Sequence, residues 1–171
     1  MHSARKPAAR RLNLPIAILL TALLLCLAFA GPAVATQKAS GVPKDAKCPV
    51  CGMLVAKYPD WNGSIVYRDG TTAYFDGPKD LLNYYLNPRK YDPAKKHSDI
   101  AAVTVKDYYS LAIIDARQAY FVVGSNVLGP MGKELIPFAK KSDADGFRAD
   151  HLGRKQLRFS EVTLELLKSL E

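Results

Sequence analysis

Hydrophobic and polar positions change period several times along the chain, and each change predicts an element. Residues 16–30 form an apolar run of mostly Leu, Ala and Ile, behind a basic stretch. After a polar, small-residue segment over 36–46, β-type runs occupy 64–68 and 72–75, with Asp69-Gly70 between them. Alternating, β-branched and aromatic runs read as strands, and Asp-Gly between them signals a hairpin, because both residues tolerate positive φ. Asp76-Gly77-Pro78 predicts a helix start: a capping acid, then Pro in the first turn. Leu81, Leu82, Tyr85 and Leu86 make its apolar stripe, and Pro88 ends it. A third strand follows at 101–105.

A similar order comes next. A connecting strand at 110–114 leads to a clear strand at 119–123, then a loop at 124–132 containing Gly and Pro. A strand at 134–138 carries Pro137, which confines it to an edge or an end. Ser142, with Asp143 and Asp145 in the first turn, starts a helix through about residue 151, weakened by Gly146 and closed by Gly153. Residues 156–159 read as a strand, and Ser160 caps a last helix carrying Val162, Leu164, Leu166 and Leu167. The pattern predicts an α+β fold: two β-β-α-β units in tandem, over 47–106 and 107–171, with a C-terminal helix.

Charge changes how the first 35 residues are read. Arg5, Lys6, Arg10 and Arg11 precede the apolar run, no acid accompanies them, and Ala33-Val34-Ala35 follows. Basic, apolar, small is the order of a secretory signal, so residues 1–35 are expected to be an export signal cleaved after Ala35. The run is about 15 residues, short of the ~20 that span a bilayer; an uncleaved membrane anchor is the alternative. Cys26 follows Leu25, where a lipoprotein signal needs a small residue, which disfavours lipidation. Residues 36–46 read as a linker. The whole chain has 171 residues and a formal charge of +8. Without the signal the charge is +4 on 136 residues, since four of 24 basic residues and none of 16 acidic ones leave. The remaining Lys pairs, Lys95-Lys96 and Lys140-Lys141, are far apart, so nucleic acid is not an expected partner.

Few residues carry chemistry. Cys48-Pro49-Val50-Cys51-Gly52-Met53 is the sharpest feature. Two thiols at this spacing can face one point and suit a metal or a disulfide. Met53 adds a thioether, and thiolate with thioether favours Cu(I) over hard ions. Gly52 lets the backbone fold so that the sulfurs point inward. Structural zinc would need a second Cys/His pair, and none stands at such spacing. Gly129-Pro130-Met131-Gly132 holds the other methionine of the exported part, also in a Gly-flanked loop rather than an apolar stripe. His97 reads as a solvated loop residue and His151 as a helix-end residue. Asp76, Asp107 and Asp115 each follow a β run and read as turn and cap residues. No pattern for hydrolysis or phosphoryl transfer is present, so no enzyme activity is expected from these.

Taken together, several segments go beyond general pattern. They are Cys48 to Met53, Tyr74-Phe75-Asp76 before a helix, Asp107-Tyr108-Tyr109, Ala119-Tyr120-Phe121-Val122-Val123-Gly124-Ser125, and Gly129-Pro130-Met131-Gly132. Over roughly residues 47–165 the chain resembles the NosL family, exported accessory proteins of nitrous oxide reductase. The resemblance implies a Cu(I) chaperone with apo nitrous oxide reductase as client, and two β-β-α-β units. By motif match it implies Cys51, Met53 and Met131 as copper ligands, with Cys48 an added ligand, a redox partner or neither. Two departures stand out: many NosL proteins look like lipoproteins, and many carry only the second Cys. A YHS-type domain shares Cys-x-x-Cys-Gly-Met but places another Cys after its Tyr-Phe, where Asp76 stands here. Two other readings of the Cys pair remain: a thiol–disulfide oxidoreductase using Cys48 and Cys51, and an interaction protein whose pair is a staple.

Overall fold

The computed structural model describes residues 41–171; the export-signal expectation for 1–35 and residues 36–40 of the expected linker lie outside the described residues. Seven strands form two antiparallel sheets, ordered β2-β1-β3-β4 and β6-β5-β7. In β1 (Gly63–Tyr67) positions 63, 65 and 67 are buried, as the alternation requires. Its neighbour on one side is β2 (Thr72–Phe75), with Ser64 opposite Tyr74. On the other it pairs β3 (Ile100–Lys106), with Ile65 opposite Val103.

The predicted hairpin is present, but its turn is longer than an Asp-Gly two-residue loop. Tyr67 N–H closes onto Thr71 C=O, and of the turn residues only Gly70 has positive φ, at 84°. Asp69 uses its side chain instead, accepting from the N–H and hydroxyl of Thr71.

Helix α1 (Pro78–Leu86) follows β2 directly. Its cap is Gly77 and makes no side-chain bond, so Asp76 is not the capping acid the sequence suggests. Pro88 does end α1, and itself opens the single turn α2 (Pro88–Tyr91). Strand β4 (Ile113–Asp115) is the short outer edge of the first sheet.

The region expected to be a loop at 124–132 is mostly strand. Strand β5 (Tyr120–Gly129) runs through it with an irregularity between Val123 and Leu128, then turns at Pro130-Met131 into β6 (Gly132–Phe138). Pro137 sits on the edge strand, as expected. Helix α3 (Lys141–Asp150) and β7 (Lys155–Arg158) follow. The final helix α4 (Leu164–Lys168) is capped by Thr163, whose hydroxyl accepts from Leu166 N–H, and not by Ser160. Ser160 lies in a short 3₁₀ turn, Phe159–Glu161, that precedes it.

Strand β5 explains how the layers join. Phe121 and Val123 face one way, into a large core with Ile65, Phe75, Leu81, Val103 and Leu167. Val122 faces the other way, with Ile136, Phe138 and Phe147 under α3. The second sheet is therefore covered on both faces, and the large core draws on both halves of the chain. Each such aliphatic or aromatic side chain taken out of water contributes roughly 1.5–3 kcal/mol. The result is an α+β fold of two antiparallel sheets and short helices.

Candidate metal centre

The site begins with a closed loop. Lys47 bridges Leu54, Cys48 N–H donates to Met53 C=O, and Gly52 N–H donates to Cys48 C=O, the last two at 2.9 Å. Gly52 takes φ of 79°, a conformation that costs a residue with a Cβ but not Gly. The turn folds the two cysteines toward one point. Cys48 is 2% exposed, Cys51 is partly exposed, and both are free thiols.

The start of α1 supplies the other half. Asp76 immediately precedes the cap of α1, Gly77, and Asp80 stands in its first turn. Both are buried, at 1% and 5% exposure. Cys48 Sγ donates to Asp80 Oδ2 at 3.3 Å, and Cys51 Sγ to Asp76 Oδ1 at 3.3 Å. One ligand atom from each of the four residues lies within 4.8 Å of the other three. Asp76 Oδ2, also buried, has no hydrogen-bond partner among the described residues. A buried acceptor without a partner carries a desolvation cost, and a bound cation would relieve it.

Electrostatics follow from this crowding. Burial pushes the Cys48 thiol far above its usual range, with the carboxylates adding to the effect. Burial pushes Cys51 up to about 12. Burial also raises Asp80, helped by the neighbouring Asp76 and opposed by the thiol hydrogen bonds and Lys79. These thiols are held as protonated donors until something replaces the proton. That is the reverse of an oxidoreductase cysteine, which needs a depressed pKa to act as nucleophile. The pair also precedes the first sheet strand instead of opening a helix.

The expected ligands divide as follows. Cys48 and Cys51 come together, and Asp76 and Asp80 join them. Sequence reasoning assigned Asp76 to turn and cap chemistry and passed over Asp80. Met53 lies on the closing bond of the thiol loop and is partly buried. Met131, at 44% exposure, sits in the β5–β6 turn, which lies against the start of α1. There its carbonyl accepts from Lys79 Nζ at 3.0 Å, and a Cβ on Gly77 would lie 3.6 Å from Pro130 Cδ. The imidazoles are engaged elsewhere: His97 is edge-on to Tyr85 and His151 stacks on Phe147. Asp107 and Asp115 are turn residues, as expected, accepting from Ser110 and Arg117 N–H respectively.

A family model named NosL matches residues 40–167. The "Copper-binding lipoprotein NosL" of Stutzerimonas stutzeri is 33% identical over 124 residues, covering 71% of this chain and 64% of that protein. The chain therefore matches a little under two thirds of that relative's length. The crystal structure of the copper chaperone NosL from Shewanella denitrificans shares the fold, with a TM-score of 0.63 at 31% identity, over 75% of this chain and 97% of that one.

Proposed function

This chain belongs to the NosL family, and on that premise we propose that it is an exported Cu(I) chaperone delivering copper to apo nitrous oxide reductase. The observation that carries the reading is the convergence of two free thiols and two carboxylates within 4.8 Å, one carboxylate oxygen being buried without a partner. Copper is cargo here: it arrives and leaves as Cu(I), and no electron is transferred.

Cys51, Met53 and Met131 are the ligands, with Cys48 joining or replacing one of them. Thiolate and thioether donors suit a soft monovalent ion. Asp76 and Asp80 accept the S–H hydrogen bonds, so they are the nearest stations for the protons that copper displaces. Cys48 is enclosed, whereas Cys51 is partly exposed and Met131 more so. An incoming ligand from the client reaches the metal from that open side, which suits transfer by exchange of one donor at a time. In the tandem reading, residues 47–106 bring the thiols and carboxylates, and 107–171 bring Met131.

The deciding experiment is a Cu(I) titration of the reduced protein against a chromophoric chelator, with Cys51→Ser alongside, followed by transfer to apo nitrous oxide reductase. Stoichiometric binding lost in Cys51→Ser is expected; unchanged affinity in that variant removes the chaperone reading. Export with cleavage after Ala35 places the mature N-terminus at Thr36, which N-terminal sequencing of the exported protein checks. A lipid-modified Cys26 or an intact residue 1–35 segment refutes it.

A further inference from the structure

Lys79 lies between the two carboxylates of the site in sequence and is only 5% exposed. Its Nζ donates to Met131 C=O at 3.0 Å and to Leu170 C=O at 3.5 Å. Its main-chain N–H donates to Glu134 Oε1, which also accepts Leu135 N–H at 2.9 Å. Glu134 is buried and wedged between two glycines. A Cβ on Gly77 would stand 2.5 Å from Glu134 Oε2, and one on Gly129 2.8 Å from its Cγ. Burying a lysine and a glutamic acid side chain is costly, and apolar residues hold a helix to a hairpin at less expense. What apolar packing does not supply is a directional bond to the main chain of one particular residue. Here that residue is Met131.

We propose that Lys79 and Glu134 are positioning residues for the metal: they lock the 129–132 turn onto the start of α1, so that Met131 meets the ion beside Cys51. This deepens the copper reading and rests on Met131 being a ligand. No donor atom of the site belongs to either residue; they act through the turn they hold.

The test uses the reduced full chain, with Lys79→Met, Met131→Leu and the double variant, and Cu(I) alone as probe. Lys79→Met is expected to weaken Cu(I) binding about 10- to 100-fold, the range for partners that orient metal ligands. The double variant is expected to be no weaker than the weaker single one, because both changes remove the same contact. In the metal-free protein, amide hydrogen exchange is expected to quicken at Gly132, which pairs with Gly129 across the turn, while Phe121 and Leu157 in the core keep their protection. If Lys79→Met does not fold, Gly129→Ala displaces Glu134 without touching Lys79 and is expected to give the same coupling. Losses that simply add, or unchanged exchange at Gly132, overturn the proposal. Wild-type affinity in Met131→Leu overturns Met131 as ligand and the positioning role with it. A loss in Met131→Leu with wild-type affinity in Lys79→Met overturns the positioning role alone.

Discussion

Cys51 and Cys48 belong to one motif but differ in exposure, and the difference sets what each substitution does. Cys51→Ser removes the donor an incoming ligand can reach, so it is expected to weaken Cu(I) binding more than Met53→Leu or Met131→Leu. Those two should cost less than about 1.5 kcal/mol of stability, since Leu and Met are close in volume. Only the reduced pair offers thiolates to the metal, so oxidising Cys48 and Cys51 to a disulfide is expected to abolish tight binding; equal affinity of oxidised and reduced protein would refute this. Asp76 makes the opposite trade. Its Oδ2 is buried without a partner, and Asp76→Asn puts an amide donor beside the sulfurs and Asp80. The variant is expected to stabilise the metal-free protein by about 1 kcal/mol, the lower end of the cost of an unsatisfied group. Cu(I) affinity is expected to fall in the same variant. Thermal melts and the chelator titration on one preparation check both signs.

At the scale of elements, the thiol loop depends on a single backbone conformation. Gly52 at φ of 79° meets no neighbour within 4 Å of where a Cβ would be, so space is not the constraint there. The backbone conformation is, and Gly52→Ala is expected to cost about 1–2 kcal/mol. Because the turn aims Cys51, Cu(I) affinity should fall although every donor remains; a titration indistinguishable from wild type would show that the loop tolerates other turns. Gly52 was legible from sequence because its role is local. So were β1, β2 and β3, α1 with its apolar stripe, and Pro137 on an edge. What was not legible depended on the third dimension. Residues 124–129 look like a loop because of their Gly and polar content, yet β5 runs through them, its pairing with β6 resuming at Leu128 and Gly129 after an irregularity. Thr163 rather than Ser160 caps α4, since the chain makes a 3₁₀ turn first. Asp76 reads as a cap until the thiol loop folds over it, and Asp80 has no local feature that marks it. The thiols were found by spacing, and their carboxylate partners were missed because the sequence separation, 32 residues for Cys48–Asp80, is closed only by packing.

Away from the thiol site, two buried acids among the described residues titrate in opposite senses. Asp107, 2% exposed, ties the turn after β3 to the end of β6: it accepts from Ser110 N–H and hydroxyl, and from Ala139 N–H. Burial alone would raise its pKa, but these hydrogen bonds outweigh burial and hold it below the ordinary value. Its stabilisation is complete above the usual Asp value of about 4 and is lost as pH falls through the lowered one. Glu134 goes the other way. Complete burial pushes it up to about 8, against the N–H bonds from Leu135 and Lys79. From about pH 4.3, where an unfolded Glu ionises, up to its folded value, the native state holds a proton that the unfolded chain has released. Stability contributed by this group therefore falls as pH rises through that window. The metal-free protein is expected to be most stable near about pH 4.5–5, between the two effects. Glu134→Gln keeps the acceptor oxygen and removes this titration, so its melting temperature is expected to decline less from pH 5 to about 8 than that of the wild type, with Asp80, also raised by burial, still contributing. A wild-type melting temperature as level across that interval as the variant's would mean that Glu134 is ionised in the folded protein, with the Lys79 ammonium and the two N–H donors outweighing its burial.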